Sequence, residues 1–113
     1  MREPKMDIDA IKKAISYMET YPERRYTIPE LAQIVGTSTT RFVLLFKEYT
    51  GTTVFAHLLT IRMKKAIRDL EQGRKPVSRI ANEVSYRNVS SFIRAFKKYT
   101  GVTPQEWRNN YKS

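Results

Sequence analysis

Cysteine is missing from the chain, which excludes disulfides and thiolate-held metal ions. Histidine is nearly missing too. His57 stands alone, which argues against an imidazole metal site or a His-based triad, and it reads as a ring packed at an aromatic position. No apolar run approaches the ~18 residues of a membrane span. Met1-Arg2-Glu3-Pro4-Lys5 leads into a charged amphipathic segment, unlike a secretory signal. A cytoplasmic protein is therefore expected, with no membrane partner. No glycine-rich phosphate cradle is present, and no cofactor is implied. Acid is scarce: 11 Asp and Glu face 21 Lys and Arg, for a net charge of +10 on 113 residues. So small a domain with so strong a field concentrates polyanions, nucleic acid first and anionic membrane second. The size fits one domain, 1–113, with a modest core and little room for a deep substrate cleft, and an enzyme is not expected.

What is there is helical periodicity throughout, with no sustained period of two. The fold class expected is all-α, about seven helices. The first runs from about Asp7 to Thr20 with Ile8, Ile11, Ile15 and Met18 inward, and Pro22 ends it. The second starts at the capping box Thr27-Ile28-Pro29-Glu30, buries Leu31, Ala32 and Val35, and stops at Gly36. The third follows Ser38, with Phe42, Leu45, Phe46 and Tyr49 as its stripe and Gly51 as its end. The fourth, Val54 to Gln72, is the longest, with Leu58, Arg62, Ala66 and Leu70 along one face and Phe55 and Ile67 close by. Val77 to Val84 makes the fifth. The sixth follows Asn88 with Phe92, Phe96 and Tyr99 as its stripe. The seventh opens on the capping box Thr103-Pro104-Gln105-Glu106 and points Trp107 at the core.

The most informative feature is an internal repeat. Leu31-Ala32 with Val35 matches Ile80-Ala81 with Val84 at a shift of 49. Phe42-x-x-x-Phe46-Lys47-x-Tyr49-Thr50-Gly51-x-Thr53 matches Phe92-x-x-x-Phe96-Lys97-x-Tyr99-Thr100-Gly101-x-Thr103 at a shift of 50. The extra residue falls in the turn between paired helices, where insertion leaves helix faces intact. Each copy is a short helix, a tight turn and a capped helix. That is the layout of a helix-turn-helix, whose second helix enters the DNA major groove. The expected organisation is one helix-turn-helix unit over about 8–51, a linker helix over 53–72 and a second unit over 76–110. Nineteen helical residues span roughly 28 Å, close to the ~34 Å between successive major grooves on one DNA face.

The stretch from Ile80-Ala81 through Ser91-Phe92-Ile93-Arg94-Ala95-Phe96-Lys97-Lys98-Tyr99-Thr100-Gly101-Val102-Thr103-Pro104-Gln105-Glu106-Trp107-Arg108 resembles the signature of the AraC/XylS family of bacterial transcription regulators. Leu31-Ala32, Ser38, Phe46-Lys47, Gly51-Thr52, Leu58 and Arg62 resemble the first half of its DNA-binding domain. The resemblance covers roughly residues 8 to 110. It implies sequence-specific binding of double-stranded DNA to control transcription initiation, as an activator. It also implies RNA polymerase as a partner and, in many members, a sensing domain for which this chain has no room. Two positions depart from the family: Ser85-Tyr86 replaces the usual Gly-Phe, so Ser85 must accept a turn geometry easy for glycine, and His57 stands where Tyr is frequent.

Turning each second helix about its buried stripe puts Thr40, Val43, Leu44 and Lys47 outward on the first, and Ser90, Ile93, Arg94 and Lys97 on the second, with Val89 at its edge. Matching to the family motif selects largely the same places. The expected DNA-contacting set adds Ser38, Thr39, Arg41, Arg87 and Asn88 at the helix starts. Arg94 has the chemistry to read guanine bidentately and Ser90 to bond a base or phosphate. Lys47, Lys97, Lys98, Arg41 and Arg87 suit phosphates. Val43 and Leu44 have little hydrogen-bonding capacity and would equally cover a neighbouring helix or domain. Glu83, Glu71 and Asp69 read as salt-bridge partners among basic helices, and Arg62 to Arg68 is basic and amphipathic. The main alternative is a protein-interaction module that touches DNA only through the sixth helix. A nonspecific nucleic-acid or RNA binder is a further one, against which the chain offers no exposed aromatic platform.

Overall fold

The computed structural model of the chain describes residues 4–111. Seven helices and, among the described residues, no strand make up the fold: α1 (Pro4–Thr20), α2 (Ile28–Val35), α3 (Thr39–Thr50), α4 (Val54–Gln72), α5 (Val77–Glu83), α6 (Val89–Thr100) and α7 (Pro104–Tyr111). The helix starts follow local chemistry. Thr27, Ser38 and Asn88 accept the backbone N–H of Glu30, Arg41 and Ser91 as side-chain caps. Thr103 and Glu106 close a reciprocal box, each accepting the other's backbone N–H. α1 starts three residues before the expected Asp7, with proline as its first residue, a position whose missing N–H costs nothing.

The chain divides into two compact units, Met1–Leu59 and Thr60–Ser113, with the boundary inside α4. In the first, α1, α2 and α3 all pack on one another. Its core is Ala10, Ile11, Ala14, Met18, Tyr26, Leu31, Ala32, Phe42, Leu45, Phe46, Val54 and Leu58. In the second, Met63, Ala66, Leu70, Ile80, Ala81, Val84, Phe92 and Phe96 form one cluster. α4 thus gives its start to one core and its end to the other.

Several expected core positions lie elsewhere. On α1 the buried line is Asp7, Ala10, Ile11, Ala14 and Met18, so Ile8 is exposed and Ile15 half-buried. At 100° per residue Ile8 sits about 105° and Ile15 about 85° from the centre of that line. Tyr49 and Tyr99 occupy the last turns of α3 and α6, past the edge of each core, and are exposed, as is Phe55. With Tyr111 they make exposed aromatics commoner than expected, though on four different helices. On α4, Met63 takes the core place expected of Arg62, because a strict four-residue step drifts by about 40° each time. Val35 and Trp107 are only partly buried.

The repeat reaches further than the sequence pattern showed. The Thr50 hydroxyl lies 2.7 Å from the Phe46 carbonyl and 3.1 Å from that of Thr52, and accepts the Thr52 N–H. Thr100 repeats this with Phe96 and Val102, at 2.9 Å to each carbonyl. Phe46 meets His57 edge-on at 5.5 Å, and Phe96 meets Trp107 edge-on at 6.0 Å, again a shift of 50. The first turn of α4 is therefore the counterpart of α7, with Thr53 and Thr103 each accepting a backbone N–H three residues on.

Candidate nucleic-acid interface

The turn into each second helix is built the same way. Gly36 is left-handed, φ 77°, and the Thr37 N–H donates back to the Ala32 carbonyl. Ser85 is left-handed as well, φ 75°, and the Tyr86 N–H donates back to that of Ala81. Ser85 is the one non-glycine residue with positive φ among the described residues, which is the strained geometry the sequence comparison anticipated. Tyr86 fills the aromatic slot, edge-on to Phe92 at 5.7 Å, and burial pushes its hydroxyl pKa up.

On α3, Ser38 caps the helix, and Thr39, Thr40, Arg41, Val43, Leu44 and Lys47 are exposed. Leu44 has 65% and Val43 44% of its surface open, so neither covers a neighbouring helix in this unit. Arg41 is already engaged. Its Nη2 donates to Oδ2 of Asp7, a buried carboxylate on α1, at 2.9 Å. On α6, Asn88 is the cap, and Arg87, Val89, Ser90, Arg94 and Lys97 are exposed. Ile93 differs: it is half-buried against the second core and lines a groove with Val77, Val89, Thr103, Pro104 and Gln105. Its apolar side serves packing first. The Arg94 guanidinium donates to the Ser91 hydroxyl at 3.2 Å, one turn back along the helix.

Asp7 and Ser91 were not among the expected site residues. The spacing of Ser91 and Arg94, three apart on a helix, is a local signal that could have found one of them. The Asp7–Arg41 pair spans 34 positions and has no such signal.

On α4, α5 and the turn between them, acids and bases of the second unit pair with one another. Glu83 accepts from Lys75 at 2.6 Å and Arg79 at 3.0 Å, and Asp69 accepts from Lys65 at 2.8 Å. The hydrogen bond from the Lys75 ammonium, followed by that from Arg79, lowers the Glu83 carboxyl pKa to about 2. Glu71 accepts the Trp107 indole N–H at 3.3 Å, and Arg108 donates to the carbonyls of Leu70 in the last turn of α4 and Lys75 in the turn that follows. These contacts tie α4, α5 and α7 to one another. Among the described residues there is no group of three or more His, Cys, Asp or Glu suited to a metal ion, and no helix is long and apolar enough to cross a membrane.

Residues 31–110 match the family described as helix-turn-helix domain. The chain is 35% identical over 98 residues to the RCS-specific HTH-type transcriptional activator RclR of Escherichia coli K12, an alignment covering 87% of this chain and 34% of that protein. The chain spans about a third of the length of the curated relatives it matches. Among solved structures, an AraC-type DNA-binding transcriptional regulator of Chromobacterium violaceum superposes with a TM-score of 0.85 at 26% identity, covering 93% of this chain and 94% of that one. The C-terminal domain of AraT, a response regulator of Geobacillus stearothermophilus, gives 0.84 at 27% identity over 89% and 84%. A match over so much of the chain, carried by the repeat and both capped helices, makes this protein a member of the AraC family of helix-turn-helix transcription regulators, with the fold of that family's DNA-binding domain.

Proposed function

We propose that the chain binds double-stranded DNA sequence-specifically and regulates transcription initiation, as an activator, with α3 and α6 as its two reading helices. The observation that carries this is the outward face of α6. A capped helix, second in its helix-turn-helix, exposes Ser90, Arg94 and Lys97 together. An arginine aimed at base edges reads guanine O6 and N7, and the lysine suits phosphates. The helix N-termini at Ser38 and Asn88 add favourable sites for phosphate oxygens. Val43 and Leu44 on α3 suit thymine methyls. Two non-identical reading helices on one chain require neither a dimer nor a palindrome. RNA polymerase and a sensing domain elsewhere in a longer protein would be the partners, the work would be done in the cytoplasm, and the role is binding, not catalysis. Selection of bound duplexes from random DNA tests this. The expected result is one asymmetric site of roughly 20 base pairs bound by one chain. Recovery of no preferred sequence would leave only a nonspecific polyanion binder.

A further inference from the structure

The charge of this chain is not shared between its units. Met1–Leu59 holds eight Lys and Arg against seven Asp and Glu, a net +1. Thr60–Ser113 holds thirteen against four, a net +9. The repeat carries the imbalance onto the reading helices. At equivalent positions α3 has Leu44, Lys47 and Glu48 where α6 has Arg94, Lys97 and Lys98. All six are exposed. The acids of the second unit do not restore balance on α6. Asp69 and Glu83 are taken by Lys65, Lys75 and Arg79, and Glu71 by Trp107. Glu106 is hydrogen-bonded to Thr103, and its attraction to Lys97 is a weaker influence on it than those bonds, so it offsets only part of one α6 cation. The ion pairs of Lys65, Lys75 and Arg79 with Asp69 and Glu83 lie on α4, α5 and the turn between them. On α3, by contrast, the cation nearest the helix start, Arg41, is held by Asp7.

From this we infer that the two helix-turn-helix units divide the work of binding. The second is the electrostatic anchor and supplies nearly all phosphate neutralisation. The first adds sequence-dependent apolar contact through Val43 and Leu44, with little release of counterions. The inference rests on the DNA-binding reading above. Phosphate contacts are the part of DNA affinity that salt weakens, by a slope of about 0.9 in log–log form for each phosphate neutralised. Apolar contacts leave that slope alone.

The test compares two triple variants of the whole chain, each removing three exposed cations, so that net charge falls equally. One is Arg87→Ala, Lys97→Ala, Lys98→Ala in the second unit, and the other Lys12→Ala, Lys13→Ala, Lys47→Ala in the first. Affinity for duplex DNA of random sequence is measured against salt concentration, with circular dichroism checking that helix content is unchanged. The second-unit variant is expected to lose about 2 to 3 from the slope, and the first-unit variant less than about 1. Equal losses with DNA binding intact would overturn the division, since affinity would then follow total charge. A wild-type chain without salt-dependent DNA binding would overturn the DNA reading itself, and the division with it.

Discussion

Replacing Trp107 by alanine removes the ring that closes the second core from the side of α7. Full burial of such a ring makes truncation cost about 3–5 kcal/mol. Trp107 is only partly buried, so the expected loss is nearer 2–3 kcal/mol. Two contacts add to the ring's partial burial. The ring meets Phe96 edge-on at 6.0 Å, a geometry worth about 0.5–1.5 kcal/mol beyond burial. The indole N–H donates to the Glu71 carboxylate at 3.3 Å, a long hydrogen bond that contributes roughly 1 kcal/mol. Trp107→Phe keeps the first contact and loses the second, so it should cost about 1 kcal/mol. Combining it with Glu71→Ala should then cost less than the sum of the two single changes. Urea unfolding followed by circular dichroism measures the four variants against wild type. A loss under about 1 kcal/mol for Trp107→Ala, or full additivity in the cycle, would refute this account of how α7 docks.

Ser85→Gly should stabilise the protein by about 0.5–1 kcal/mol, because relief of a left-handed non-glycine residue, worth roughly 1–2 kcal/mol, exceeds the added chain entropy of glycine; a lower Tm would contradict it. Glu83, with its folded pKa lowered from 4.5 to about 2, contributes stability that is fully present above pH 4.5 and lost as the pH falls towards 2. The shift corresponds to at most about 3 kcal/mol, and screening of a side chain 29% exposed reduces this to about 1 kcal/mol. Glu83→Gln should accordingly be less stable at neutral pH and flatten the acid limb of the stability profile between those two values.

The helices were legible because their signals are local. Ser38, Asn88 and the Thr103–Glu106 box act within one turn, and the span Val54–Gln72 needed only its punctuation. The paired units were legible because the same pattern occurs twice. Tyr49 and Tyr99 were misplaced for a related reason: periodicity gives the face of a helix but not how far along it the core extends. Ile93 shows the limit at the site. It faces outward on a helical wheel, yet the start of α5 and the start of α7 flank it in a shared groove. The tether of Arg41 to Asp7 joins two helices distant in sequence, so no spacing rule reveals it. The placing of Ser85 succeeded because the turn demands a backbone conformation, and that demand is visible wherever a glycine position holds another residue.

The central claim is that α6 reads bases through Arg94 and grips phosphates through Lys97. Its most direct test measures the affinity of wild type, Arg94→Ala and Lys97→Ala for a selected site and its single-base variants, at two salt concentrations. The account predicts that Arg94→Ala abolishes discrimination at one or two base pairs, worth about 1–3 kcal/mol each. It predicts that Lys97→Ala weakens binding to every variant alike and makes the salt dependence shallower. If Arg94→Ala instead lowered affinity for all variants equally, with a shallower salt slope, Arg94 would be a phosphate anchor and the claim would be wrong.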